Sequence, residues 1–121
     1  METPIRSYGD LVVWQKAVEL VTEFYRLTRT FPKEEMFCLM SQMRRAAVSI
    51  PSNIAEGHAK LSRKEYLYFL GNARGSLAEL ETQFTIGRNL GFLEAAKMNR
   101  ALEQAGELGR ILNGLLASLR K

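Results

Sequence analysis

The sequence predicts an all-α protein, an up-down-up-down bundle of four helices whose second member is kinked by a proline. Three observations carry that prediction. Four stretches place apolar residues at alternating three- and four-residue steps, no segment alternates with period two, and the connections between the stretches are short. A chain of 121 residues fits one domain, here residues 1–121.

The first helix is expected over about residues 10–30. Leu11, Trp14, Val18, Val21 and Tyr25 form its seam, broadened by Ala17, Leu20, Phe24 and Leu27. Asp10 or Ser7 is the expected N-cap. Phe31-Pro32 ends it, because proline disfavours helical geometry in the residue before it.

The second helix is expected over about residues 33–58, with Glu34 and Glu35 at its positive dipole end. Its core positions are Met36, Leu39, Met40, Met43, Ala47, Ile50 and Ile54. Pro51 removes one backbone hydrogen bond at a cost of about 3 kcal/mol. Ile50 and Ile54 nevertheless stay in phase with Met43 and Ala47, so a kinked continuous helix is favoured over a break at Ser49.

Ser62 with Glu65 three residues later is a capping box, and it opens a third helix over about residues 62–90. Tyr66, Leu70, Ala73, Leu77, Leu80 and Phe84 form the seam, and Gly91 is the left-handed cap. The fourth helix, about residues 93–119, carries Met98, Leu102, Ala105, Gly109, Leu112, Leu116 and Leu119. Gly71, Gly75, Gly106, Gly109 and Gly114 all fall inside predicted helices. Each costs about 1 kcal/mol relative to alanine, which close approach of another helix would offset.

Composition narrows the function classes. The N-terminal stretch METPIRSYGDLVVW has no apolar core followed by a small-residue cleavage site. No apolar run approaches the ~18 residues that span a bilayer. Cys38 is the only cysteine and cannot pair internally. A cytoplasmic protein with a reduced thiol and no membrane partner is the expectation. The thiol sits near the second helix's core seam and reads as buried and inert. The net charge of +4 comes from 17 basic and 13 acidic residues without a basic tail, which permits a nucleic-acid partner without requiring one.

Catalytic chemistry finds no foothold. A di-iron bundle needs Glu-x-x-His pairs, but Ala55 precedes the single His58 by three, Glu79 leads to Thr82, and Glu103 leads to Gly106. Glu79 and Glu81 point to different sides of a helix. No Gly-rich phosphate loop is present. The expectation is a non-enzyme with no metal and no cofactor.

Two basic groups remain. In RRAAVSIPSNIAEG, Arg45 points away from the second helix's core and Arg44 lies on its flank. Both can contact phosphate, or they can pair with a neighbouring helix or stand solvated. In HAKLSRK, Lys60, Arg63 and Lys64 join an exposed His58 at the connection between the second and third helices. Loops at the ends of rigid helices often carry binding function; a solubilising turn is the alternative. The outward strip Ser41, Arg45, Val48, Ser52, Ala55 and Ala59 is small except for its arginine, as is Gly71, Gly75, Ala78 and Thr82 on the third helix. These strips fit secondary seams inside one subunit or contacts between subunits, and self-association is expected.

DLVVWQKA, FPKEEMFCLMSQMRRAAVSIPSNIAEG, SRKEY and LGNARGSLAELETQ together resemble the four-helix bundle protein family that includes proteins encoded in intervening sequences of bacterial 23S ribosomal RNA genes. The accessory variability protein of diversity-generating retroelements is a more distant relative. The resemblance covers about residues 8–93, and the fourth helix matches by periodicity alone. Gln42, Arg44, Arg45, Asn53, Glu56 and Gly57 fall in the family pattern of the second helix, and Gly75, Ser76 and Glu79 in that of the third. The His58-Ala59 pair departs from the aromatic-glycine pair expected there. The resemblance implies an up-down bundle, a ring-like homopentamer, and nucleic-acid binding, which in the retroelement relative accompanies a reverse transcriptase.

The expected function is therefore a non-enzymatic oligomeric bundle that binds structured RNA or DNA through backbone phosphates. Arg44, Arg45, Lys60, Arg63 and Lys64 are its expected contacts. The alternative is a homo-oligomeric scaffold that docks a reverse transcriptase or another protein, its arginines bracing helices.

Overall fold

The computed structural model describes residues 5–121; the first four residues of the stretch read above for a secretory signal lie outside them. Its helices are α1 (Val12–Thr28), α2 (Leu39–Ala59), α3 (Arg63–Asn89) and α4 (Ala95–Arg120), with single 3-10 turns at Tyr8–Asp10 and Lys33–Glu35. No strand occurs among the described residues.

Short connections force neighbouring helices to run antiparallel. Three residues join α2 to α3, a reach of about 10 Å, whereas α3 is about 40 Å long. Side-chain contacts agree at the other two junctions. Arg44 near the start of α2 meets Thr28 at the end of α1, and Gly87 near the end of α3 faces Met98 in the first turn of α4. Each helix packs on its chain neighbours, α1 closes on α4, and the diagonal pairs keep their backbones apart and meet through core side chains. The most extensive pairing is between α2 and α3.

One apolar core fills the bundle, with Phe24 edge-on to Phe84 at 4.5 Å. On α1 the buried stripe is Val13, Ala17, Leu20, Phe24 and Thr28. This corrects the expected seam: Leu11, Trp14 and Val21 lie on its flank and Tyr25 is exposed. α1 is apolar over a wide arc, and the closure of α4 onto it decides which part turns inward. On α4 the same effect buries Ala101 and Leu108 and leaves Leu102 and Leu119 half-buried.

The helix ends show where local signals were enough. Ser62 accepts a hydrogen bond from the Glu65 N–H at 3.1 Å, while its hydroxyl donates to the Glu65 carboxylate rather than leaving it to cap the Ser62 amide. Gly91 adopts φ 74°, the left-handed region. The Phe92 N–H donates to Gly87 O and the Gly91 N–H to Arg88 O, a complete Schellman closure. Ser7 caps the first 3-10 turn with Asp10 bonding back to it, so α1 itself starts two residues later, at Val12.

α2 also starts later than expected. Residues 33–35 form a 3-10 turn, Cys38 is non-helical, and Glu35 Oε2 accepts from the Leu39 N–H at 3.1 Å. That carboxylate satisfies a free amide at the new helix start. Met36 and Cys38, both expected at the core, are consequently exposed. From Leu39 the helix runs unbroken through Pro51 to Ala59, as the phase of Ile50 and Ile54 requires.

The glycines divide into two kinds. At Gly57 an added Cβ would meet Phe69 Cβ at 2.7 Å and Tyr66 Cδ1 at 3.1 Å, so its absence sets how closely α2 approaches α3. Among the described residues Gly71, Gly75 and Gly114 have nothing within 4 Å of a built Cβ, and Gly106 meets only its own helix's Arg110. No helix of the same chain explains those four.

Candidate functional site

The five expected phosphate contacts separate into two groups at opposite ends of α2. Fifteen residues divide Arg45 from Lys60, a rise of about 22 Å. No single ligand group touches both ends within one chain.

At the first end, Arg44 is a structural brace. Its Nε donates to Thr28 Oγ1 at 3.2 Å, and its guanidinium lies 4.6 Å from the Tyr25 ring centroid. Thr28, only 1% exposed, donates its own hydroxyl to Tyr25 O. The guanidinium thereby satisfies a buried hydroxyl and ties α1 to α2. Arg45 is exposed, as its position on the helix wheel requires. Both border a depression of about 620 Å³ that also takes in Tyr25, Met36, Phe37 and Val48. Phe37 is 88% exposed, so the surroundings of this arginine pair are apolar.

The second end differs. Lys60 closes α2, Arg63 opens α3, and Lys64 follows, so a three-residue connection holds three cations at one corner. Among the described residues no side-chain carboxylate lies within 4.0 Å of these cations or of Arg45. Arg63 Nη1 donates to Lys121 O at 3.3 Å, and Lys60 Nζ stands 5.5 Å from the Phe69 ring centroid. Leu61 at the tip is fully exposed, and Tyr68, four residues after Lys64, is 64% exposed. His58 is half-buried rather than exposed, edge-on to Tyr66 at 5.6 Å. Burial pushes the Tyr66 phenol above the ordinary tyrosine range.

A third basic group escaped the sequence reading. Arg26, Lys97 and Arg100 surround a cleft of about 240 Å³ between α1 and α4, with Glu23 pairing Arg26 at 3.4 Å. Nothing local joins residues so far apart in the chain; only the closure of α4 on α1 does. Among the described residues no three His, Cys, Asp or Glu side chains converge, and no helix is long and apolar enough to cross a membrane.

The small-residue strips lie outside the core. Ser41, Val48, Ser52 and Ala59 on α2, and Gly75, Ala78 and Thr82 on α3, are exposed; Ala55 and Gly71 are half-covered. They are not seams within one subunit. Ser49 and Ser76, on the inner side, hydrogen-bond to each other across the α2–α3 junction.

Comparisons with known proteins place this geometry. A family model described as 23S rRNA-intervening sequence protein matches residues 9–114, extending the likeness well into α4. A solved protein of unknown function from the S23 ribosomal protein family of Bacteroides thetaiotaomicron superposes with a TM-score of 0.81. It is 20% identical, and the match covers 87% of this chain and 98% of that one. At that identity the likeness bears on the fold alone. No curated protein matched the chain.

Proposed function

We propose, for a chain that belongs to the 23S rRNA-intervening sequence protein family, that it is a non-enzymatic, oligomeric bundle in the cytoplasm that binds structured RNA or DNA through backbone phosphates. The observation that carries this reading is the corner of Lys60, Arg63 and Lys64, three cations with no side-chain carboxylate partner among the described residues. Such groups lose little on meeting phosphate, because no ion pair with an acidic side chain has to be broken. Arg44 drops out of the proposed contact set, since its bond to Thr28 and its place on the Tyr25 ring commit it to bracing α1 against α2.

Self-association supports the same reading. The outward strips on α2 and α3 are small, exposed and unaccounted for inside the chain. A homopentamer, as the family resemblance implies, gathers five copies of a +4 chain, about +20 in one particle. Counterion release from the phosphates then supplies most of the affinity.

The test is fluorescence anisotropy with a labelled structured RNA and its DNA counterpart across about 50–200 mM salt. Affinity falling steeply and linearly with log salt is expected. Absence of binding, or affinity indifferent to salt, overturns the proposal.

A second reading has one specific observation in its favour. Arg44 and Arg45 sit beside exposed Phe37, Met36 and Val48, the composition of a contact surface for protein rather than for phosphate. On that reading the bundle is a homo-oligomeric scaffold that docks a partner such as a reverse transcriptase. Salt-insensitive assembly with no affinity for nucleic acid distinguishes it.

A further inference from the structure

Phosphate contacts alone do not use the aromatic side chains that the fold brings to the basic corner. Tyr68 lies on α3 four residues beyond Lys64, so the two share one face of the helix. The residue is 64% exposed, and its ring meets Phe69 edge-on, with centroids 5.2 Å apart and planes at 82°. Phe69 in turn carries Lys60 Nζ 5.5 Å from its centroid. The glycine at position 57 seats Phe69, whose Cβ occupies the space where a larger residue's Cβ would stand. The corner thus combines a solvent-facing tyrosine with Lys64 one turn before it on the same face of α3, Arg63 at the start of that helix, and Lys60 over the neighbouring Phe69 ring.

From this juxtaposition we propose that Tyr68 is a stacking platform for an unpaired base, and that the corner prefers single-stranded segments or loops over continuous duplex. The inference rests on the proposed nucleic-acid binding and names its substrate class. A base in a duplex hides its face between neighbours, whereas an unpaired base offers it to an aromatic ring while the adjoining phosphates meet Lys60, Arg63 and Lys64. Every base has such a face, so the platform discriminates strandedness rather than sequence.

The experiment compares wild type, Tyr68→Ala and Tyr68→Phe on one labelled unstructured RNA strand, the same strand annealed to its complement, and the DNA versions of both. Tyr68→Ala is expected to weaken single-strand binding by roughly fivefold to a hundredfold. Duplex binding should stay within about twofold, and Tyr68→Phe should behave as wild type because it keeps the ring. An unchanged thermal melt of Tyr68→Ala establishes that the bundle is intact, as expected for an exposed side chain. Single-strand affinity unaltered by Tyr68→Ala, or lost equally on strand and duplex, overturns this inference while leaving phosphate binding in place. Failure of the wild type to bind any of the probes overturns both.

Discussion

Replacing Gly57 by alanine tests how the bundle is held together. The substitution gains about 1 kcal/mol of helix propensity, because glycine is the poorer residue inside a helix. Against that, the new Cβ would stand 2.7 Å from Phe69 Cβ and 3.4 Å from Tyr66 O, with Tyr66 Cδ1 between them at 3.1 Å. Phe69 Cβ is fixed to the α3 backbone and cannot swing aside. Relief therefore requires α2 and α3 to separate by roughly 1 Å at their crossing, and overpacking of this kind costs about 1–3 kcal/mol. The clash is with near-backbone atoms, so the upper part of that range applies. A net loss of about 1–2 kcal/mol follows, or roughly 4–8 °C in Tm for a domain of this size. Gly114→Ala supplies the contrast: it lies off both outward strips and its Cβ meets nothing within 4 Å among the described residues, so the propensity gain alone should raise Tm. Circular-dichroism melts of the two variants at one protein concentration provide the readout. Gly57→Ala melting at or above wild type would refute the close-approach account.

Further outcomes follow from other contacts. Arg44→Ala should lower stability by about 1–2 kcal/mol in urea unfolding, since Thr28 loses a buried hydrogen bond and Tyr25 a cation. Gln83→Met should be neutral or stabilising by the same assay, because Gln83 Oε1 is buried without a partner among the described residues and only the Nε2 bond to Glu79 is given up. The raised Tyr66 phenol predicts an alkaline effect. Its stabilisation is complete below the unfolded tyrosine value near 10 and is lost as pH rises through the higher folded value, so Tyr66→Phe should flatten the decline of Tm above pH ~10.

Local chemistry explains which parts of the fold were legible in the sequence. The start and stop of α3 depend on Ser62, Glu65 and Gly91, residues whose caps are made within a few positions of themselves. The unbroken passage of α2 through Pro51 was legible because Ile50 and Ile54 had to remain on the Met43 face. The register of α1 was not, because its apolar arc is wider than the core it fills. At residues 33–38 an α-helix and a 3-10 turn satisfy the same propensities, and the Glu35 carboxylate on the Leu39 amide selects the turn.

The candidate site divides in the same way. Lys60, Arg63 and Lys64 had to be neighbours across so short a connection. The bracing role of Arg44 depends on Thr28, sixteen residues away, and no pattern in either segment announces it. Thr28 reads as an ordinary polar helix-end residue until α2 covers it. Arg26, Lys97 and Arg100 likewise meet only because α4 closes on α1.

The salt dependence of RNA affinity, measured side by side for wild type, the triple Lys60→Ala, Arg63→Ala, Lys64→Ala variant and Arg44→Ala, bears most directly on the proposal. The corner variant should show a slope of log affinity on log salt smaller by about one per phosphate contact removed, while Arg44→Ala keeps the wild-type slope. Equal slopes for wild type and the corner variant, or a loss confined to Arg44→Ala, would contradict the account.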